Sequence, residues 1–386
     1  MIDEMEKISA CAMNSIFGYE PRIARRIIDE LGSCRALFEL DGEGLRSVIL
    51  PGSKYYGLVG RAALDEAERE LRRLEAEGYR FLALDEEGYP DVLRDCEDGP
   101  VGLYLRSETP PQDLFGRPMI SIVGTRDVSP YGREWCVRIV EALSGAAQRP
   151  TIVSGLAFGV DIMAHRAALE YGLGTLAVLP TGIDEVYPLQ HAPAAACLGR
   201  TAGCGLLTDF PTGTRPMQAT FLRRNRIIAG LGRATILVES KVKGGGMMTA
   251  RLAFDYGREV FVLPGRIDDP RSGGCNRLVR EKVAEPIVSV ADLPDLLGLG
   301  GSALRRKANL AGLLREKYAA LPPDQREALS RIALHVKSFR GITVEDLCRT
   351  LELPYNETIG YIATLESDGI LRADLLQRCT INTKIA

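Results

Sequence analysis

The stretch FLRRNRIIAGLGRATILVES, residues 221–240, joins a basic helix to a buried strand and sets the pattern for the central part of the chain. Arg223, Arg224 and Arg226 surround Asn225, and the apolar residues after them predict a helix that begins near Asn225 and ends at a glycine. A helix N-terminus is positive and offers free N–H donors. Arginines crowded there are unfavourable unless an anion lies between them. The stretch therefore predicts an anion site, and the alternative is an arginine cluster solvated at a helix end.

Strands and helices alternate on both sides of this stretch. Parallel strands joined by right-handed helical crossovers form a doubly wound sheet, so the spacing predicts a Rossmann-like α/β fold with a mostly parallel sheet. The predicted strands are residues 118–123, 151–154, 175–179, 205–208, 234–239 and 259–263, and the predicted helices besides the arginine stretch are residues 130–147, 161–171 and 247–256.

The flanks predict two smaller domains around a core of residues 63–295. Residues 1–62 are predicted to form a helical bundle. Their similarity to a SAM or helix-hairpin-helix domain is only faint, because Phe17 and Glu20 stand where a hairpin would need glycines. Residues 296–310 form the predicted linker, and residues 311–386 the predicted winged-helix domain.

The helices expected in the C-terminal domain begin at a capping box of Asp324 and Glu327 and at an N-cap of Thr343. The third one, residues 355–367, is the would-be recognition helix and carries acidic residues but no Lys or Arg. Reading a major groove normally takes basic or amide side chains. We therefore expect this domain to contact proteins rather than duplex DNA.

Composition limits the possible functions. The formal charge is −3, so any nucleic-acid site must be a local basic face, and basic residues do outnumber acidic ones between residues 215 and 282. Nine scattered cysteines without a CxxC favour a reducing compartment, and no cluster has metal-ligand spacing. The chain lacks an apolar run of about 20 residues and a secretory signal. We expect a cytoplasmic protein without membrane span, metal or cofactor.

Glycine-containing loops follow the predicted strands at the sheet edge where ligands bind in such folds. Glycines feeding a helix N-terminus cradle phosphate, and an arginine at a strand end can fork onto it. Neither GxGxxG nor GxxxxGK[ST] fits, so an extended polyanion, single-stranded nucleic acid, is favoured over a compact nucleotide. Phe158, Phe210 and Phe221 are the candidates for base stacking, although we expect core packing for each. The loops are Gly124-Thr125-Arg126, Ser154-Gly155, Thr181-Gly182 and Lys243 to Gly246.

The sequence gives little support for catalysis. Ser154 has Asp161 and His165 in the next segment, but the GxSxG of a hydrolase nucleophile elbow is missing. We expect Asp161 to be an N-cap and His165 to cap or pack a helix. No catalytic residue is predicted, and the protein is not expected to be an enzyme.

Six segments together resemble the DNA-processing protein A (DprA/Smf) family: SIVGTRDVSPYG, IVSGLAFGVDIMAH, LAVLPTGIDEVYP, FLRRNRIIAGLGRATILVES, GGGMMTARLAFDYGREVFVLPG and GGCNRLVR. The resemblance implies a core that binds and protects single-stranded DNA, forms a homodimer and loads the recombinase RecA during natural transformation, without catalysis. It places Gly124, Arg126, Ser154, Gly155, Arg224, Asn225, Arg226 and Thr249 in the DNA-binding pocket. The anion-site argument from the arginine stretch adds Arg223, and the phosphate-loop argument adds Lys243 and Gly245.

The sequence also departs from that family's pattern. Pro180 stands where the family usually has glycine, Leu222 replaces a common proline and Asp209 a common glutamate. Gly244 to Gly246 replace a Ser-Gly-Ser pattern and so remove hydroxyl donors. The alternative function is a nucleotide-processing enzyme of a related fold, similar to phosphoribohydrolases, but their PGGxGTxxE loop is absent after Pro264.

Overall fold

The computed structural model describes residues 2–300, 314, 317–339, 341–374 and 377–381 of the chain. The chain divides into two compact units, Met1–Pro294 and Asp295–Ala386. The predicted linker, residues 296–310, lies for the most part outside the described residues.

A nine-stranded sheet forms the centre of the first unit, in the order β1-β2-β6-β5-β4-β3-β7-β8-β9. The seven strands from β6 to β9 along this order are parallel, whereas β2 pairs antiparallel with both β1 and β6. This confirms the predicted α/β fold with a mostly parallel sheet. The strands are β1 (Arg80–Ala83), β2 (Gly102–Arg106), β3 (Met119–Val123), β4 (Thr151–Ser154), β5 (Thr175–Val178), β6 (Gly205–Thr208), β7 (Ala234–Leu237), β8 (Glu259–Val262) and β9 (Glu285–Pro286).

Helices cover the sheet and build the N-terminal region, and two 3-10 helices lie at Tyr56–Leu58 and Leu189–His191. The α-helices are α1 (Glu4–Phe17), α2 (Pro21–Leu31), α3 (Cys34–Glu39), α4 (Gly42–Val48), α5 (Arg61–Ala76), α6 (Asp91–Arg94), α7 (Pro111–Phe115), α8 (Pro130–Ser144), α9 (Val160–Glu170), α10 (Ala192–Leu198), α11 (Gln218–Leu231), α12 (Gly245–Asp255), α13 (Gly273–Arg280) and α14 (Leu293–Leu296).

The predicted cap of α8 is confirmed, because the Ser129 hydroxyl accepts a hydrogen bond from the Gly132 N–H at 3.1 Å and Pro130 opens the helix. The same helix ends at Ser144, three residues before the predicted end. The prediction that Asp161 caps α9 is wrong. Gly159, with φ of 76°, holds the N-cap position, and Asp161 lies in the first turn.

The prediction that a helix begins near Asn225 is also wrong, because α11 begins at Gln218. The Met217 N–H donates to the Thr220 hydroxyl at 3.0 Å, which satisfies the backbone at the true start of the helix. The arginines therefore lie in the middle of α11, away from its positive end. A proline two residues before Gln218, at position 216, was the available signal for the earlier start.

The N-terminal helices contribute to the same hydrophobic core as the first strands. Met13 and Phe17 of α1 are fully buried in that core, and α1 packs against α5. Asn14 joins the two regions, since its amide nitrogen donates to the Asp209 carbonyl at 2.9 Å. A separate domain of residues 1–62 stays a prediction.

Between residues 317 and 381, the described part of the second unit contains three helices and a three-stranded antiparallel sheet in the order β10-β12-β11. The Thr343 hydroxyl accepts from the Asp346 N–H at 3.2 Å, which confirms the predicted cap. The predicted capping box at Asp324 is wrong, because the N-cap residue is Pro322 and no side chain caps that helix. The winged-helix assignment stays a prediction. The elements are α15 (Pro323–Ser338), β10 (Ile342–Thr343), α16 (Val344–Leu351), α17 (Tyr355–Ser367), β11 (Leu371–Ala373) and β12 (Arg378–Ile381).

Among the described residues, none of the helices combines the length and the apolar character that a membrane span requires.

Candidate nucleic-acid interface

The strand order reverses beside β3, and the site lies at this reversal. The chain runs from β3 through β4 and β5 to β6 on one side and then returns to place β7 on the other side of β3. Open parallel sheets bind ligands at such a switch point, beyond the carboxyl ends of the strands. A cleft of about 710 Å³ lies there, lined by the loops after β3 and β7, by α11 and by the start of α12.

Arg224 forms the buried cationic floor of this cleft. Its side chain is 3% exposed, and Nη1 donates to the Val178 carbonyl at 2.8 Å. Within the described residues, Nε has no hydrogen-bond partner and the guanidinium forms no ion pair. Burial lowers the pKa of Arg224 to about 10, so the group stays cationic at neutral pH. A buried cation with an unpartnered N–H donor stabilises an anion that enters the cleft.

Asp161 is the buried carboxylate of the same cleft. Burial raises its pKa, and the charges of Arg224 and Arg126 oppose that shift. A carboxylate in this position limits how much negative charge the floor can attract. It also provides a partial counter-charge for Arg224 when the cleft holds no ligand.

Gly155 and Ser154 support the floor and do not line it. A Cβ atom on Gly155 would lie 1.7 Å from Nη1 of Arg224, so this glycine leaves the space that the guanidinium occupies. The Ser154 hydroxyl is fully buried and donates to the Ile122 carbonyl at 2.6 Å.

Arg126 lies at the mouth of the cleft, exposed to solvent, on the loop after β3. Its guanidinium carbon lies 5.0 Å from the centre of the Phe221 ring, and the Tyr187 ring meets Phe221 edge-on with centroids 5.5 Å apart. Both rings line the cleft, so Phe221 is not the core residue that the sequence predicts. Of the other two stacking candidates, Phe210 is buried as expected, whereas Phe158 is 42% exposed.

The start of α12, which packs against α11, forms a further wall of the cleft. Gly124 and Gly246 approach each other closely here, because a Cβ atom on Gly246 would lie 3.4 Å from the Gly124 Cα. Gly245 opens the helix, so its first N–H groups face the cleft with the positive end of the helix dipole. The exposed Lys243 and the buried Thr249 complete this wall.

Arg223 and Arg226 do not line the cleft. Both donate to one oxygen of Asp209, which is fully buried, with an Arg223 Nη2 distance of 2.7 Å. Arg223 also stacks over the Tyr19 ring at 4.7 Å and over the Phe210 ring at 4.6 Å. The anion that pairs with this part of the arginine cluster is thus a carboxylate of the protein itself. Arg223 thereby ties α11 to Tyr19, between α1 and α2, and Arg226 ties it to Asp209 and to the Asp98 carbonyl.

The structure therefore brings together seven of the eleven residues that the sequence predicts for the site and places the other four behind or beside it. Sequence reasoning missed Lys241, Tyr187 and Gln218, which also line the cleft. Lys241 had a visible signal, because it stands in the basic loop between β7 and α12. The seven are Gly124, Arg126, Arg224, Asn225, Lys243, Gly245 and Thr249.

The side chains once considered for catalysis make other contacts. His165 is buried, as its predicted packing role requires, and its Nδ1 lies 2.7 Å from the Thr175 hydroxyl. Burial lowers its pKa from 6.5 to about 3, so His165 is neutral at ordinary pH. Ser154 bonds a strand carbonyl and not His165. Across the described residues, no group of His, Cys, Asp and Glu could hold a metal ion.

Residues 80–298, more than half of the chain, match the family model described as DNA recombination-mediator protein A. The chain is 38% identical over 214 residues to Protein Smf of Escherichia coli, a match that covers 55% of this chain and 56% of that relative. The chain thus spans little more than half the length of this curated relative.

Two solved structures show the same fold. The X-ray structure of DNA processing protein A from Streptococcus pneumoniae has a TM-score of 0.64 and 27% identity, and the alignment covers 76% of this chain and 98% of that chain. The structure from Helicobacter pylori, described by its single-stranded DNA binding mode, has a TM-score of 0.50 and 28% identity. That alignment covers 57% of this chain and 95% of that chain.

Proposed function

Because this chain belongs to the DNA recombination-mediator protein A family, we propose that its cleft binds single-stranded DNA and that the protein mediates recombination. The observation that carries the proposal is Arg224, a buried cation with an unpartnered Nε and no ion pair among the described residues, at the floor of a cleft at the switch point. The relative from Helicobacter pylori is described as a single-stranded DNA binder, which supports the same ligand here.

The division of labour in the cleft follows from exposure. Arg126 and Lys243 are exposed at the mouth and supply phosphate contacts to an entering strand. Arg224 and the first N–H groups of α12 hold one phosphate at the floor, where low dielectric strengthens each contact. Phe221 and Tyr187 offer ring surfaces to a base, which suits sequence-tolerant binding.

A salt titration tests this proposal. The logarithm of the binding constant for a fluorescein-labelled oligothymidylate, measured by anisotropy, should fall linearly with the logarithm of the salt concentration, with a slope of about −0.7 per phosphate neutralised. Arg126→Ala should weaken binding and reduce that slope by about 0.7, because one phosphate contact is lost.

The matched control is Arg106→Ala. Arg106 also stacks on a ring, with its guanidinium carbon 5.5 Å from the Tyr79 centroid, but it ends the antiparallel β2 at the opposite edge of the sheet. Its loss should leave affinity and slope unchanged. Equal effects from the two variants, or turnover of mononucleotides by the wild-type protein, would contradict the proposal.

We further propose that the protein acts as a homodimer and loads RecA onto the bound strand, as family membership implies. The second unit is the proposed protein-contact domain, because the exposed part of α17 carries no basic side chain. Light scattering of the purified chain tests the dimer. RecA filament assembly on DNA coated with single-strand-binding protein tests the loading, and assembly that is no faster with this protein would contradict it.

A further inference from the structure

A row of aromatic and arginine side chains runs along one face of α8. Tyr131, Trp135 and Arg138 are spaced four and three residues apart, which puts them on the same side of the helix. The Tyr131 and Trp135 ring centroids are 6.2 Å apart, and the Arg138 guanidinium carbon lies 5.1 Å from the Trp135 centroid. We call these three residues the α8 ladder.

The α8 ladder starts at the rim of the cleft. Asp127 lines the cleft, and α8 begins three residues later at Pro130. The Tyr131 hydroxyl donates to the Pro264 carbonyl at 2.8 Å, which places this ring beside the loop after β8, at the same edge of the sheet. Arg138 lies seven residues further along the helix, or about 10 Å from that edge. The ladder therefore begins four residues after a residue of the cleft and extends along α8 away from the carboxyl edge of the sheet.

The chemistry of the ladder fits nucleobases. Tyr131 is 41% exposed and Trp135 half-buried, so the rings present surface to solvent although Tyr131 keeps its hydroxyl bonded. Glu134 pairs with Arg138 at 2.7 Å, which neutralises the charge and leaves the planar guanidinium for stacking. Aromatic rings and guanidinium planes accept any base, because every base has a π-face.

We propose that bases of a single strand leaving the cleft stack on the α8 ladder, which lengthens the binding site beyond the cleft. This inference rests on the proposed function, because the cleft must hold the strand that the ladder extends. The α8 ladder would be a second surface for the DNA strand, and its chemistry differs from that of the cleft. The cleft neutralises phosphates, whereas the ladder binds bases.

Trp135 is the only tryptophan of the chain, so its fluorescence reports on the ladder directly. Oligothymidylates of about 4 to about 16 nucleotides are titrated into the wild-type protein while label anisotropy and tryptophan emission are recorded together. We expect the short oligonucleotides to bind without quenching, since they fill only the cleft, and the long ones to bind more tightly and quench Trp135.

Variants separate the two surfaces. Trp135→Leu should weaken binding of the long oligonucleotides about fivefold or more and leave short ones unaffected, with an unchanged salt slope, because stacking and not a phosphate contact is lost. Trp135→Phe keeps a ring and should retain most of the affinity. If long oligonucleotides bind without quenching Trp135, and bind Trp135→Leu equally well, the proposal for the ladder is refuted and the proposal for the cleft is not. The exposed face of α8 would then suit a protein partner. Absence of binding at every length would overturn both proposals.

Discussion

Replacing Asp209 by asparagine should destabilise the protein strongly without weakening DNA binding. The Asp209 carboxylate is fully buried and accepts from Arg223 and Arg226, whose side chains are 9% and 7% exposed. Asparagine keeps the shape and one acceptor oxygen but removes the negative charge with which both buried cations pair. If Arg223 and Arg226 stabilise the fold and do not contact DNA, the free energy of unfolding changes and the DNA affinity does not.

The magnitude follows from burial. Removing one partner of a buried ion pair costs roughly 3–5 kcal/mol, because the other charge stays desolvated. The retained amide oxygen places the expected loss near the lower end, at about 3 kcal/mol. For m values of about 1–3 kcal/mol per M, this loss lowers the urea midpoint by at least roughly 1 M. Trp135 lies in the first unit, so its fluorescence follows the relevant transition.

Glu281→Gln is the matched control. Glu281 also joins two arginines, Arg251 at 2.5 Å and Arg277 at 2.7 Å, but this carboxylate is exposed to solvent. Exposed pairs contribute about 0.2–1 kcal/mol each, so the control should lose little. A comparable small loss in Asp209→Asn would refute the structural role. So would a rise in oligonucleotide affinity, because it would mean that the freed Arg223 and Arg226 reach the DNA.

Three further outcomes are expected. Gly155→Ala should reduce oligonucleotide affinity as much as Arg224→Met does, because the new Cβ atom would lie 1.7 Å from the Arg224 Nη1 and must displace the guanidinium. Gly52→Ala, where a Cβ atom meets open space, is the control. Equal affinities of the Gly155 and Gly52 variants in anisotropy would contradict this prediction. The lowered pKa of buried His165 means that only the unfolded state takes up its proton as the pH falls below 6.5. As the pH falls below 6.5, the free energy of unfolding of the wild type should therefore decrease by about 1.4 kcal/mol per pH unit more than that of His165→Gln. If the urea midpoints of the two proteins run parallel with pH, the burial argument is refuted. Removing residues 310–386 should leave oligonucleotide affinity largely unchanged, and a large loss would give the C-terminal domain a DNA-binding role.

Local sequence signals predicted most of the core. The buried runs of β4 and β6 have the predicted bounds, and Ser129 with Pro130 marks the start of α8 as predicted. These features depend on neighbouring residues only, so a single sequence contains them. Where local signals competed, the prediction failed. The basic and apolar pattern predicts the start of α11 at the arginines, whereas Pro216 and Thr220 mark it earlier.

Some features of the candidate site were predictable from local sequence, and others were not. Glycine loops and the Arg126 position were predictable, because the carboxyl ends of parallel strands share one edge of the sheet. The reversal between β3 and β7 that opens the cleft depends on strand order, which no local pattern states. The same holds for β1 and β2, which extend the sheet as antiparallel strands.

The sequence by itself determined that this chain builds a parallel α/β core with basic and glycine-containing loops at one edge, because periodicity and turn chemistry are local. Only the tertiary structure decided which arginine faces the cleft. Arg223, Arg224 and Arg226 are neighbours in the chain, but a helix turns by about 100° per residue and directs them to different surroundings. Asp209 pairs with two of them, and Gly155 makes room for the third at the floor of the cleft.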